Sequence, residues 1–214
     1  MKNKVLLFWL ALMFLFAGGM IVWLWYGRTD AASAKSEPVL PTSRVPLEQF
    51  TLLERSGENF SSTSLDGQVW VVSFFFTACP YECLQQNLKI KDLVDEFGSR
   101  GVTTVSITCD PERDTSLILA EYADRLQAHD EHWLFLTGKL SYIQNIGEDV
   151  FQVSVTPSTH TKKLILINRE GEVGGYFSWS DPEQMKLLRS ELDRLLAELV
   201  PQVTTSDEKS AEAS

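Results

Sequence analysis

The chain has 214 residues, 44% of them hydrophobic, and a formal net charge of −10 at pH 7. That length suits one folded domain of ordinary size with additional segments. Residues 47–214 contain 27 of the 29 acidic residues but only 14 of the 19 basic ones, which gives this part a net charge of −13. A domain this acidic repels a phosphate backbone, and therefore the composition excludes nucleic acid as a partner.

An uncharged apolar segment of 22 residues runs from Val5 to Tyr26. As a helix it would be about 33 Å long, enough to cross a hydrocarbon core of about 30 Å. Lys2 and Lys4 precede it and favour a cytoplasmic N-terminus. Ala32-Ser33-Ala34 would suit the alternative, a cleaved signal peptide, but the apolar region of such a peptide is only about 7–15 residues long. We therefore predict a retained anchor in residues 1–27, with the rest of the chain on the extracytoplasmic side.

Composition divides the rest of the chain into three parts. Residues 28–46 are rich in Ala, Ser, Thr and Pro and lack an apolar period, which predicts a linker. Residues 47–200 carry the patterns of a folded domain. Residues 201–214 are polar and rich in small residues, which predicts a disordered tail.

Strand and helix patterns alternate through the predicted domain. The predicted strands are Phe50–Leu53, Val69–Phe76, Val102–Thr108, Trp133–Thr137, Leu164–Ile167 and Glu172–Phe177. The predicted helices are Leu84–Phe97, Asp114–Ala128 with Asp114 as its cap, Leu140–Asp149 and Asp181–Leu199 with Asp181 as its cap. This order predicts an α/β fold with a central sheet flanked by helices, and the terminal hairpin and last helix favour a thioredoxin-like arrangement.

Two of the three cysteines, Cys79 and Cys83, follow the apolar strand predicted at Val69–Phe76. Ligands of open α/β sheets bind beyond the carboxyl ends of the strands, which is where this pair falls. A helix beginning near Pro80 would place both cysteines on its first turn, within reach of a disulfide, and its N-terminus would favour their thiolate forms. In an oxidising compartment the pair could be a disulfide, a redox pair or a soft-metal site.

A soft metal bound by two thiolates commonly takes an imidazole as its third ligand, and the chain has three histidines. His129 and His132 flank an acidic loop and are interpreted as surface residues. His160 lies four residues before the strand core that begins at Leu164. In a thioredoxin-like sheet this loop faces the start of the first helix, which makes His160 the candidate ligand.

Cys109 and Asp110 follow the strand predicted at Val102–Thr108, at the same edge of the sheet as the cysteine pair. Cys109 is either a buried residue of apolar type or an auxiliary thiol near the pair. Asp110 either positions the site or forms the turn before Pro111.

The segments VWVVSFFFTACPYEC, DPERDT, EYADRL and HWLFLTG, together with His160, resemble the Sco (SenC) family of membrane-anchored copper chaperones. The resemblance covers about residues 47–199. It implies a thioredoxin-like fold, a location in the cell inner membrane with the domain on the periplasmic side, and copper bound by Cys79, Cys83 and His160 as Cu(I), with Cu(II) as a further state. It also implies a role in assembling the CuA centre of cytochrome c oxidase, with subunit II or another exported copper acceptor as the partner.

The sequence departs from the family pattern at three positions. Leu84 stands where the family usually has proline, Thr159 where it usually has aspartate, and Cys109 where an apolar or small residue is expected. The alternative function is an extracytoplasmic thiol-disulfide oxidoreductase that uses Cys79 and Cys83 on the cysteines of an acceptor. The C-x-x-x-C spacing differs from the C-x-x-C of ordinary thioredoxin chemistry.

Overall fold

The structure, a computed structural model, describes residues 48–157 and 161–198, together with Met13 and Gly18–Met20. The predicted linker and tail, and all but four residues of the predicted anchor, lie outside these ranges. No helix among the described residues is both long enough and apolar enough to cross a membrane. The chain divides into two units, Met1–Glu37 and Pro38–Ser214, and all of the strands belong to the second.

Seven strands form one mixed sheet in the described part of the chain. They are β1 (Thr51–Glu54), β2 (Asn59–Ser61), β3 (Val69–Phe75), β4 (Val102–Thr108), β5 (Trp133–Thr137), β6 (Lys163–Ile167) and β7 (Val173–Ser178). Their order is β2-β1-β5-β4-β3-β6-β7. Strands β3, β4 and β5 are parallel, whereas β6 runs antiparallel to β3, with Val72 opposite Ile165. The carboxyl ends of β3 and β4 and the start of β6 therefore meet at one edge of the sheet.

Helices cover both faces of the sheet. They are α1 (Glu82–Phe97), α2 (Ser116–Arg125), α3 (Leu140–Asn145), which continues into a π-helical turn at Ile146–Val150, and α4 (Pro182–Ala197). Phe75 stacks on Tyr122 of α2 with 5.5 Å between ring centroids, whereas its neighbour Phe74 packs edge-on against Phe151 at 6.0 Å. Successive side chains of a strand point to opposite faces, so these two contacts belong to the two sides of the sheet. The predicted α/β fold with a flanked central sheet is confirmed.

The two central strands, β3 and β4, are buried at every position. Such strands are nearly continuous apolar runs because neither face meets water. Fully buried side chains such as Phe74 and Phe75 each contribute about 2–3 kcal/mol through the hydrophobic effect. This core gives the edge that carries the cysteines a rigid base.

The structure corrects two predicted features near that edge. The helix predicted at Asp114–Ala128 is shorter, and its N-cap is Thr115, whose hydroxyl accepts the backbone N–H of Ile118 at 3.4 Å. Asp114 is instead fully buried. The first helix begins at Glu82, with Tyr81 as a non-helical N-cap at φ −146° and ψ −55°. The predicted start near Pro80 is therefore two residues too early, and Cys79 lies in the loop before the helix.

Two further observations concern strand β2 and the N-cap of α4. Strand β2 was not predicted, since its three residues are too few to show a period. The N-cap predicted at Asp181 is confirmed, because its carboxylate accepts the backbone N–H groups of Glu183 and Gln184. The side chain of Gln184 accepts the backbone N–H of Ser178 at 2.6 Å.

Candidate functional site

Cys79 and Cys83 lie together at the start of α1, although Cys79 is in the preceding loop rather than on the helix. The backbone N–H of Cys83 donates to the sulfur of Cys79 at 3.2 Å. The first N–H groups of a helix have no partner within the helix, and here a sulfur takes the place of a capping oxygen. Cys79 is half-buried and Cys83 is fully buried, and no disulfide joins any of the three cysteines in the described ranges.

Burial raises the pKa of the Cys83 thiol above its ordinary value. A hydrogen bond from the backbone of Phe76 lowers this pKa, while the hydrogen bond with Cys79 and electrostatic interactions with Cys79 and Cys109 raise it. Cys83 is therefore a neutral thiol at pH 7. The expectation that a helix N-terminus makes it a thiolate is wrong here because desolvation dominates. A soft cation that binds its sulfur has to displace the proton.

Cys109 follows β4 directly and is fully buried. Its backbone N–H donates to the carbonyl oxygen of Phe75 at 2.8 Å, which continues the pairing of β3 and β4 to the edge that carries the pair. Its electrostatic interaction with Cys83 is consistent with the predicted position at the shared edge.

Asp110 forms the turn after β4. Its backbone N–H donates to the hydroxyl of Thr108 at 3.0 Å, and its carbonyl oxygen accepts the backbone N–H of Asp114 at 2.9 Å. Its carboxylate lies 3.6 Å from the guanidinium of Arg113. These contacts favour the turn interpretation of Asp110 over a direct role at the cysteines.

Asp114 joins the loop of Cys79 to the end of β4. Its carboxylate accepts the backbone N–H of Thr77 at 3.0 Å, the hydroxyl of Thr77, and the hydroxyl of Thr108 at 2.5 Å. Thr77 lies two residues before Cys79. Sequence reasoning assigned Asp114 to a helix cap, because an aspartate just before a helical pattern is a typical capping signal.

The structure describes two of the three histidines, His129 and His132. His160 lies outside the described residues. His129, 3.6 Å from Asp124, is largely exposed, whereas His132 is partly exposed. Both precede β5, and the start of a parallel strand lies at the sheet edge opposite to the cysteines, so their interpretation as surface residues holds. Within residues 48–157 and 161–198, no group of three or more His, Cys, Asp or Glu side chains is arranged to hold a metal ion.

A buried polar cluster lies beside the cysteine pair and was not predicted. The amide of Asn87 donates to the phenol oxygen of Tyr122 at 3.0 Å. Burial raises the pKa of Tyr122 to about 12, the bond from Asn87 lowers it, and electrostatic interactions with Cys83 and Cys79 raise it. The phenol is therefore neutral at pH 7 and lies near both sulfurs. One turn separates Cys83 from Asn87, and this spacing was the available sequence signal.

The SCO1/SenC family model matches residues 42–196. The chain belongs to the SCO1/SenC family. The SCO1 protein homolog of Bacillus subtilis is 32% identical over 136 residues, which cover 59% of this chain and 70% of the relative. The predicted family resemblance is therefore confirmed.

Solved Sco structures share the fold. BsSco, described as a member of the Sco family of cytochrome c oxidase assembly proteins with a disulfide switch, has a TM-score of 0.65 and 24% identity, covering 73% of this chain and 97% of that one. A SCO1/SenC family lipoprotein of Bacillus anthracis has a TM-score of 0.64 and 27% identity, covering 76% and 99%. ScoI of Bradyrhizobium japonicum, solved with copper bound, has a TM-score of 0.57 and 22% identity, covering 71% and 99%. These similarities confirm the thioredoxin-like arrangement.

Proposed function

We propose that this protein is a copper metallochaperone that binds Cu(I) through Cys79, Cys83 and His160. The observation that carries the proposal is the sulfur of Cys79 at the backbone amide of Cys83, 3.2 Å away, in a family with copper-bound structures. Two neighbouring thiolates select soft cations such as Cu(I). The copper acceptor is cytochrome c oxidase subunit II or another exported protein, and the delivered copper forms the CuA centre.

The ion pair between Lys162 and Glu82 supports the assignment of His160 as the third ligand. The ammonium group of Lys162 lies 2.7 Å from the carboxylate of Glu82, which is the residue before Cys83. His160 precedes Lys162 by two residues, and two residues of extended chain span about 7 Å. The described chain that follows His160 therefore lies beside the first turn of α1, which carries Cys83, and this supports the assignment.

The location follows from the uncharged span Val5–Tyr26. In this proposal residues 1–27 are a single-pass anchor in the cell inner membrane and residues 28–46 are a linker. The Sco domain, residues 47–200, lies on the periplasmic side, and residues 201–214 form a disordered tail. A relative described as a lipoprotein is consistent with membrane attachment.

Thiol-disulfide exchange is the second candidate function. It is favoured by the same contact between Cys79 and Cys83, because two adjacent sulfurs can also form a disulfide, and BsSco is described as having a disulfide switch. In this function the pair would reduce or oxidise the cysteines of an exported acceptor, and His160 would not be needed.

Copper stoichiometry of the reduced full-length protein separates the two functions. We expect one Cu(I) per chain in the wild type, no tight binding in Cys79→Ser or Cys83→Ser, and weaker binding with altered coordination in His160→Ala. His129→Ala is the matched control and should bind as the wild type does. Identical sulfur and nitrogen shells by X-ray absorption in wild type and His160→Ala would remove His160 from the site. If the wild type has an intact thiol pair but binds no copper, the metallochaperone function is excluded and thiol-disulfide exchange remains.

A further inference from the structure

Asp114 is a fully buried carboxylate outside the proposed ligand set. It accepts three hydrogen bonds, two from Thr77 and one from Thr108. Burying a carboxylate is costly unless its oxygens are hydrogen-bonded, and bonds to an ionised acceptor are stronger than those between neutral groups. The carboxylate and its donors therefore hold each other in fixed positions.

The donors come from two segments that carry cysteines. Thr77 belongs to the loop between β3 and α1 and precedes Cys79 by two residues. Thr108 is the last residue of β4 and immediately precedes Cys109. The Thr108 hydroxyl also accepts the backbone N–H of Asp110, so the turn after β4 is part of the same network. Asp114 thus links the end of β4 to the Cys79 loop.

The Cys79 loop needs such a link. It runs from the end of β3 at Phe75 to the start of α1 at Glu82, and Ala78, Pro80 and Tyr81 are exposed. A loop with this much contact with solvent is a low-stability segment unless specific bonds fix it. The bonds of Asp114 to the main chain and hydroxyl of Thr77 fix it close to its cysteine.

We propose that Asp114 is a positioning residue that, through Thr77, holds the sulfur of Cys79 at the backbone amide of Cys83. It thereby sets how readily the pair forms a disulfide. It also presents the two sulfurs together to copper, and this second consequence rests on the proposed function whereas the first does not.

The test is the equilibrium of the purified full-length protein with glutathione, without copper. The protein dithiol and glutathione disulfide give the Cys79–Cys83 disulfide and two glutathione thiols. In Asp114→Ala we expect the equilibrium constant for disulfide formation to fall about tenfold or more, because Cys79 spends less time beside Cys83. Asp114→Asn should restore part of it, since a carboxamide oxygen still accepts bonds. Thr77→Val loses the hydroxyl donor to Asp114 but keeps the backbone N–H donor. Its equilibrium constant should therefore lie between those of wild type and Asp114→Ala.

Asp181→Ala is the matched control. It also removes an aspartate that accepts backbone N–H groups, but this aspartate caps α4 and does not bond to the Cys79 loop. It should lower stability and leave the glutathione equilibrium unchanged. A wild-type equilibrium in Asp114→Ala would overturn the proposal and leave Asp114 a purely structural residue. If Asp114→Ala does not fold, Thr77→Val and Thr108→Val decide, and wild-type equilibria in both would overturn it equally.

A separate copper measurement keeps the two proposals apart. Loss of an outer group that orients a ligand typically weakens metal affinity about 10–100-fold, and we expect a loss in this range for Cu(I) in Asp114→Ala. If the wild type binds no copper but Asp114→Ala shifts the glutathione equilibrium, the metallochaperone function fails and the positioning role stands. If the wild type binds copper and Asp114→Ala changes neither quantity, the positioning role fails alone.

Discussion

Wild-type protein should lose stability at alkaline pH as Tyr122 ionises, and replacing Tyr122 with phenylalanine should abolish this loss. Burial raises the pKa of Tyr122 to about 12 from an ordinary value of 10. Because the pKa is higher in the folded state than in the unfolded state, the contribution to stability is fully present below pH 10. It is lost as the pH rises through about 12. A difference of two units corresponds to about 3 kcal/mol in the free energy of unfolding.

The substitution also has a cost at neutral pH. The phenol oxygen of Tyr122 accepts the amide of Asn87 at 3.0 Å, and Asn87 is fully buried. Phenylalanine leaves that donor without this partner, which costs about 1–3 kcal/mol. Tyr122→Phe should therefore be less stable than wild type at pH 8, and the difference should shrink as the pH rises from 10 to 12.

Urea unfolding of both full-length proteins, under reducing conditions from pH 8 to pH 12, measures this difference. Tyr176, whose pKa is also raised by burial, is present in both proteins, and its contribution cancels in the comparison. Tyr81→Phe, at a position 66% exposed, controls for the loss of a phenol hydroxyl. A difference between wild type and Tyr122→Phe that stays constant from pH 8 to pH 12 would refute the burial argument.

Two further predictions concern the surroundings of the pair. Cys109→Ser should leave the copper stoichiometry unchanged and alter the glutathione equilibrium of the pair. Loss of copper binding would show that Cys109 is a primary ligand. A glutathione equilibrium equal to that of the wild type would show that it is only a core residue. Lys162→Ala should cost less than about 1 kcal/mol of stability, because its ion pair with Glu82 is exposed, but should weaken Cu(I) binding several-fold if the pair holds the segment of His160. Unchanged affinity by competition titration would contradict the second part.

The sequence predicted the central sheet well and its edge poorly, for a physical reason. The bounds of β4 and β5 were predicted to the residue, because apolar and β-branched runs between turn residues report burial directly. The start of α1 was misplaced by about two residues. Its first turn uses the sulfur of Cys79 as a hydrogen-bond acceptor, and no local propensity encodes that choice.

Asp114 shows the same limit at a single residue. Asp114 and Thr115 are both good N-cap residues, and local sequence does not distinguish them. Which of the two residues caps the helix depends on Thr77, 37 positions away in the sequence. Its backbone N–H donates to the carboxylate of Asp114, which is therefore buried and does not cap the helix. Topology located Cys79, Cys83, Cys109 and Asp110 at one sheet edge, but the direction of each side chain depends on such distant partners.

The unequal burial of the two cysteines predicts which sulfur meets a partner first. Cys79 is half-buried, whereas Cys83 is fully buried and burial raises its pKa, so Cys83 is shielded and protonated at pH 7. Because only Cys79 is accessible, an incoming thiolate should attack a disulfide of the pair at Cys79, and the sulfur of Cys83 leaves and takes up a proton, although its raised pKa slows that departure. Cys83→Ser should therefore react with glutathione disulfide, giving a mixed disulfide and one glutathione thiol, or with iodoacetamide, faster than Cys79→Ser does at pH 7. Equal rates, measured by mass spectrometry on folded protein, would mean that the loop opens on the timescale of the reaction and that burial does not choose the entry point.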